Sequence, residues 1–292
     1  MNRKNNLVII AGLLVFSLIC GCGSVNVNIN SPKASANGSS GSDTASSGTD
    51  DLASFPQLTS KNYDFSKYDD DKNKYFDVHG TIWSLTDDSA KQYPNLVAPL
   101  KEIADNEKKF AEDSISQYDN EAKSFFEDNK KSGYNGGGYE CVVDTGLACG
   151  DPKVLSLVST QETFFGGAHP DTATLTFNLD SQTGDFIPLS DIIKDRAGLD
   201  AILKDALTKQ YPDHNFFDLD DSLSKLKTDA DVFDRTPYMS DPTYVYAFSP
   251  NGLTFFFNAA VLSPHSDGGE QIDLTYDDLS SVLSDKYLHL YD

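Results

Sequence analysis

Residues 160–189, TQETFFGGAHPDTATLTFNLDSQTGDFIPL, decide the fold. Thr163, Phe165, Thr172, Thr174, Thr176 and Phe177 are β-branched or aromatic, which suits a pleated, half-buried surface. The stretch reads as two β-strands broken by a glycine corner, Gly166-Gly167-Ala168-His169-Pro170, then a tight turn at 180–184 and a short strand. Adjacent glycines let the backbone reach positive φ, and Pro170 forces His169 out of the α region. The corner is therefore shaped to hold a histidine at a fixed angle.

Upstream, residues 75–85 (YFDVHGTIWSL) alternate with period two and read as a strand, after which Asp87 or Asp88 can cap the next segment. From about 99 to 131 the period becomes helical, with Leu96, Leu100, Ile103, Phe110, Tyr118, Ala122, Phe125 and Phe126 recurring mostly at three- or four-residue steps. Lys130, Lys131 and Gly133 supply a cationic last turn and a glycine stop. Gly136–Gly138 read as a joint leading to a hairpin with its tip at 144–148, and 154–163 as a further strand.

Downstream, Ser190 or Asp191 is expected to cap a helix with Leu199, Ile202, Leu203, Ala206, Leu207 and Tyr211 on one face. A mixed segment, 213–242, carries a short helix near 222–227. Residues 243–249 and 253–258 flank Pro250-Asn251-Gly252 and read as a hairpin with an Asn-Gly turn. A polar loop, 263–269 (SPHSDGG), leads to a last strand at 271–274 and a helix capped by Thr275 and running through Leu283. Strands and helices segregate, so the expected class is α+β: antiparallel sheet, one long N-terminal helix, and shorter C-terminal helices packed on one face.

The first residues, with Arg3 and Lys4 before an apolar run at 7–19, read as a secretory signal. It ends Ile19-Cys20-Gly21-Cys22, and a small residue before a cysteine in that setting resembles the bacterial lipobox. Cys22 is the expected lipid acceptor, because bulky Ile19 stands directly before Cys20. Acyl chains on Cys22 would hold the protein on the membrane surface. Residues 24–54 are mostly Ser, Gly, Asn, Asp and Thr with almost no large apolar side chains, a flexible tether reaching roughly 30 Å. The expected organisation is thus a signal (1–21), the lipidated tether (22–54), an N-terminal α+β part (55–150) and a C-terminal α+β domain (151–292).

Loss of the signal removes two basic residues, leaving 21 basic and 45 acidic, a net charge of −24. Such a surface repels nucleic acid and attracts cationic partners or divalent ions, besides keeping an exported protein soluble. Cys141 and Cys149 then form an even pair in an exported chain, and a disulfide is the expectation.

His169 in GGAHP and His265 in SPHSDGG are the loop histidines with unusual flanks, and Asp171 and Asp267 stand close by in sequence. If these loops met, two histidines and an aspartate would suit zinc or acid–base work; His169 equally suits a hydrogen bond that fixes the corner. The candidate binding surface is Phe164, Phe165, Gly166, Gly167, His169, Pro170, His265 and Asp267. The acidic runs fail as calcium loops: Lys74 and Leu223 stand where an EF-hand needs glycine. The chain has no G-x-S-x-G elbow, H-E-x-x-H, P-loop or dinucleotide fingerprint, so no motif argues for an enzyme or a cofactor.

Phe164 to Pro170 (F-x-G-G-A-H-P), Asn178 to Gly184 (N-L-D-x-x-T-G) and Ile187 to Ile193 (I-P-L-S-D-I-I) together resemble a bacterial extracellular domain family. It is the C-terminal domain of RsiV-like lysozyme-sensing anti-sigma factors, found also beside peptidoglycan deacetylase domains of the PdaC type. Residues 249–257 (SPNGLTFFF) and 263–279 (SPHSDGGEQIDLTYDDL) are similar to the same family's hairpin, glycine loop and closing helix. Residues 75–159 look like its companion N-terminal part. The resemblance implies a binding domain whose ligand, in RsiV-like members, is lysozyme, a cationic protein. This chain has neither a sigma-binding segment nor a deacetylase domain, so the implied role is a membrane-anchored module for a cationic protein such as lysozyme, or for peptidoglycan. The alternative is an envelope hydrolase or metal-dependent enzyme using His169, His265 and Asp267.

Overall fold

Strand β3 (Lys74–Leu85) follows the alternation read at 75–85, with Phe76 and Val78 fully buried and their neighbours Asp77 and His79 only partly so. The computed structural model describes residues 55–133, 137–229, 233 and 242–288. The expected signal, the lipidated Cys22 and the tether lie outside those residues, as do Gly136 and most of 230–241. Among the described residues no helix is long and apolar enough to cross a membrane.

One edge of β3 pairs antiparallel with β1 (Leu58–Asp64), Leu58 opposite Leu85 and Asp64 opposite His79, and with the two-residue β2 (Lys67–Tyr68). Its other edge pairs in parallel with β4 (Tyr139–Gly150), Phe76 opposite Tyr139 and Thr81 opposite Asp144. Parallel neighbours need a long crossover. It is supplied by α1 (Asp87–Gln92), a single turn at Pro94–Leu96, and α2 (Val97–Lys131). Thr86, not Asp87 or Asp88, caps α1; the two aspartates occupy its first turn, where the helix dipole favours them.

Helix α2 is 35 residues long and buries Leu100, Ile103, Ala104, Glu107, Ala111, Ser114 and Ala122 against the sheet. The small residues let its backbone lie close to β3 and β4, while Phe110, Tyr118, Phe125 and Phe126 pack beside them, partly buried. Glu107 is fully buried and accepts a hydrogen bond from the Ser159 hydroxyl at 3.0 Å. The sheet continues antiparallel through β5 (Val154–Phe164) and β6 (Asp171–Asp180), the hairpin read at 160–189. The α+β class holds, with one parallel pair within an otherwise antiparallel sheet. The 150/151 boundary falls in the turn between β4 and β5, which are adjacent strands of this one sheet.

The Cys141–Cys149 bridge is excluded. Residues 139–150 form a single strand rather than a hairpin with a tip at 144–148. Eight residues along a strand separate the two cysteines by about 26 Å, whereas a disulfide needs Cα atoms within about 7 Å. Cys141 is buried beneath α2, and Cys149 in a second core at the other end of the same strand.

That second core is built on a smaller sheet of β7 (Val245–Ser249), β8 (Gly252–Phe257) and β9 (Glu270–Thr275). Ser249 pairs with Gly252, so the turn residues are Pro250 and Asn251, one position earlier than the expected Asn-Gly turn. Pro250 fixes a negative φ, which rules out a primed turn at that place. Gly252 instead begins β8, where an added Cβ would lie 1.9 Å from the Leu274 carbonyl oxygen. Among the described residues four helices flank this sheet: α3 (Leu189–Ile192), α4 (Arg196–Gln210), α5 (Leu219–Lys225) and α6 (Tyr276–Leu279). Asp195 caps α4, displacing Ser190 and Asp191 from the expected role, because the chain first makes the short α3. Asp218 caps α5, and Thr275 and Asp278 form a capping box at α6, which ends at Leu279, short of the expected Leu283.

The two sheets meet where β7 crosses β5 and β6. Tyr246 O and Phe248 N are satisfied by side chains of the larger sheet instead of by another strand. Asn178 Nδ2 donates to Tyr246 O at 2.7 Å, and Phe248 N–H donates to Ser156 Oγ at 3.1 Å. The Ser156 hydroxyl in turn donates to Asn178 Oδ1 at 2.5 Å. An open strand edge is thereby closed by two buried polar side chains.

Candidate functional site

The β5–β6 connection, 165–170, is anchored at its foot and exposed at its tip. Phe165 stacks on Tyr118 of α2 with ring centroids 4.2 Å apart and meets Phe76 edge-on at 6.2 Å. Phe164 packs edge-on against Phe125 at 6.1 Å. Both phenylalanines, expected to face a ligand, are half-buried in the aromatic cluster beneath α2, because β5 runs through Phe164 and carries them over the helix. Gly166 has φ 87°, a left-handed conformation, and lies against Tyr139, whose hydroxyl would be 3.2 Å from an added Cβ. Gly167, Ala168, His169 and Pro170 come next, all exposed.

The second loop, from Asn258 to Gly269, is fixed at both ends. The Asn258 amide accepts from Thr174 N–H at 2.7 Å and donates to Thr174 O at 3.0 Å. It therefore pairs with the outer edge of β6 as a peptide group of a neighbouring strand would. At the other end the Ser263 hydroxyl donates to Glu270 Oε1 at 2.5 Å, and His214 Nε2 lies 3.1 Å from the same oxygen. Burial pushes the Glu270 carboxyl up, and the smaller effects of Ser263 and His214 oppose it.

Between these ties Pro264 leads into one helical turn, His265–Asp267. The two loops converge. The rings of His169 and His265 stack with centroids 5.3 Å apart and planes 26° apart. His265 Nε2 lies 3.0 Å from Asp171 Oδ1, the first residue of β6. One ligand atom each from His169, Asp171 and His265 falls within 4.8 Å of the others, and all three residues are exposed. His169 Nδ1 also lies 3.1 Å from Pro170 O, the corner-fixing contact expected of it.

Asp267 is absent from this cluster. Its backbone N–H bonds Pro264 O at 2.9 Å, and its carboxylate accepts from the Ser266 hydroxyl at 3.2 Å, closing the helical turn locally. Of the two sequence neighbours only Asp171 joins the histidines, since β6 starts directly under His265. Ser263 opens the SPHSDGG motif, but Asn258 and Glu270, which set the second loop with it, carry no motif; a polar residue at each end of a glycine-rich loop is the one available signal. The acidic runs behave structurally: Asp69 holds a turn through Asn73 N–H at 2.8 Å, and Asp218 is a helix cap.

Residues 84–172 match the family model described as Deacetylase PdaC. The matched segment includes the whole glycine corner and ends at Thr172, so the resemblances at 178–193, 249–257 and 263–279 lie outside it. No curated protein matches the chain. A crystal structure of a DUF3298 family member from Bacteroides fragilis is similar to 80% of this chain and 96% of its own, at 15% identity and a TM-score of 0.55. A DUF3298 family protein from Pseudomonas aeruginosa aligns over 78% of this chain and 95% of its own, at 12% identity and a TM-score of 0.47. At such identities the likeness to the Bacteroides protein speaks to fold and not to activity. Sequence and fold thus lead to one description, a PdaC-type segment over residues 84–172 set within a fold similar to that of a DUF3298 protein of unknown function.

Proposed function

We propose that the chain is a non-catalytic binding module, held at the outer face of a bacterial membrane by lipid on Cys22 and extended on the tether 22–54. Its ligand is a cationic protein such as lysozyme, or a peptidoglycan component, docking on the ridge made by 166–170 and 263–269. One observation carries this reading: two loops 94 positions apart, as measured by His265 and Asp171, join into a single exposed ridge whose feet are tied to the sheets. Exposed residues on a fixed base meet a partner with little ordering cost. The net charge of −24 on the exported chain adds steering toward a basic partner. The alternative, a hydrolase or metal-dependent enzyme using His169, His265 and Asp267, loses that aspartate, since the carboxylate grouped with the two histidines is that of Asp171.

Calorimetric titration of the detergent-solubilised chain with lysozyme, at low and at physiological salt, tests the protein-ligand form of this reading. Saturable one-to-one heat that survives physiological salt is expected, and it should weaken on replacing exposed Pro170 and Ser266 with charged residues. Heat at low salt alone would reduce the acidic surface to a generic counterion. No heat at either salt, with none from peptidoglycan fragments, refutes the module.

A further inference from the structure

The ridge carries a donor set that docking of a protein does not require. We propose that His169, Asp171 and His265 form a binding site for a borderline divalent transition-metal ion, zinc being the best fit. The inference stands whether or not the ridge docks a protein.

Three features of the cluster support it. First, its ligand atoms lie within 4.8 Å of one another. Zinc bonded tetrahedrally to imidazole nitrogen and carboxylate oxygen at about 2.0–2.2 Å sets its ligand atoms about 3.3–3.6 Å apart. The 3.0 Å between His265 Nε2 and Asp171 Oδ1 is already close to one such edge. Closing the rest takes a shift of about 1 Å in exposed side chains, well within rotamer freedom.

Second, His169 has the supporting contact that metal-binding histidines use. With Nδ1–H donated to Pro170 O at 3.1 Å, the lone pair resides on Nε2 and the ring plane is held. The glycine corner and Pro170 fix the backbone on which that ring stands. Third, the two rings stack with the Asp171 carboxylate beside them, so that two imidazoles and one carboxylate are gathered at a single point of the ridge.

The donor chemistry selects the ion. Two imidazoles and one carboxylate suit zinc, nickel, cobalt or copper, while magnesium and calcium want sets made of oxygen. Three protein ligands on an exposed ridge leave at least one coordination position facing outward. A bound ion there would present a vacant Lewis-acid position to whatever meets the ridge. The acidic surface of the chain raises the local concentration of any divalent cation without conferring this selectivity.

The test uses the full chain in detergent carrying Cys20→Ser and Cys22→Ser, so that neither thiol competes for metal. Zinc sulfate alone is titrated by calorimetry in a large excess of magnesium. One equivalent is expected to bind despite the magnesium. His169→Ala, Asp171→Asn and His265→Ala should each weaken binding at least tenfold, while Asp267→Asn leaves it unchanged. Loss of affinity in Asp267→Asn equal to that in the other variants, or full competition by magnesium, overturns the site. Histidine ring NMR on the unsubstituted ridge removes dependence on the variants. Of the five histidines, two should shift on adding one equivalent of zinc; shifts at none, or equally at all five, refute the proposal.

Discussion

Replacing Asn258 with Ala should remove the tie that aligns the two loops. Asn258 is 8% exposed and makes two hydrogen bonds to the outer edge of β6, at 2.7 Å to Thr174 N–H and 3.0 Å to Thr174 O. Each bond contributes about 1 kcal/mol net, and a group left without a partner costs a further 1–3 kcal/mol when water cannot replace it. Thr174 is half-buried, so water recovers part of that. The expected loss is about 2–4 kcal/mol, a large share of the roughly 5–15 kcal/mol that holds a domain folded. In urea, with a slope near 3 kcal/mol/M for a chain of this size, the midpoint should fall by about 1 M. Asn258→Asp keeps the acceptor for Thr174 N–H but turns a carboxylate oxygen toward Thr174 O, and should be at least as damaging. Thr174→Ala keeps both backbone groups and should change little. A loss below about 0.5 kcal/mol in both Asn258 variants, or an effect of Thr174→Ala matching theirs, would refute the assignment of this amide as a substitute strand.

Three further outcomes are expected of the same structure. Asn178→Ala removes the donor to Tyr246 O and the acceptor for Ser156 at a site 4% exposed, and should cost about 3–5 kcal/mol, with separate fluorescence and circular-dichroism transitions as the two sheets uncouple. Burial, then the Asp119 hydrogen bond, raises the Tyr75 hydroxyl to about 12, and burial drives Tyr244, Tyr246 and Tyr276 above their ordinary value too. Their folded pKa values exceed the unfolded value near 10, so the stability they contribute is complete below that pH and is lost as pH rises from about 10 through 12. Tyrosinate absorbance and far-ultraviolet circular dichroism should therefore change together there; full titration of these phenols with the fold intact would contradict their burial. Adding a reductant should leave the melting temperature of the purified chain unchanged, whereas a fall of several degrees would reinstate a bridge between Cys141 and Cys149.

The sequence makes legible those features that local chemistry determines. The β5–β6 hairpin comes from alternating threonines around Gly166, Gly167 and Pro170, and the long helix from the spacing of Leu100, Ile103 and Ala122. Strand β1 escapes a sequence reading because it lies at a sheet edge, where Leu58 is its one buried residue in LTSKNYD. The parallel neighbour of β3 depends on a crossover of more than fifty residues, which no short window contains. Gly146 and the paired cysteines make a strand look like a hairpin tip. At the site, both histidines are visible in their flanking motifs, but choosing Asp171 over Asp267 needs the three-dimensional approach of His265 to the start of β6. Asn258 and Glu270 act through partners distant in sequence and have no local signature.

The course of β4 through both cores imposes a timing condition on folding. Before the sheet forms, Cys141 and Cys149 lie in one short segment, where closing a loop costs little. A bridge made at that stage would hold their Cα atoms within about 7 Å, and the segment could no longer extend into the strand on which both cores are assembled. In an oxidising compartment, extension of β4 must outrun thiol oxidation. Once each sulfur is covered by its own core, oxidation to that bridge requires unfolding first.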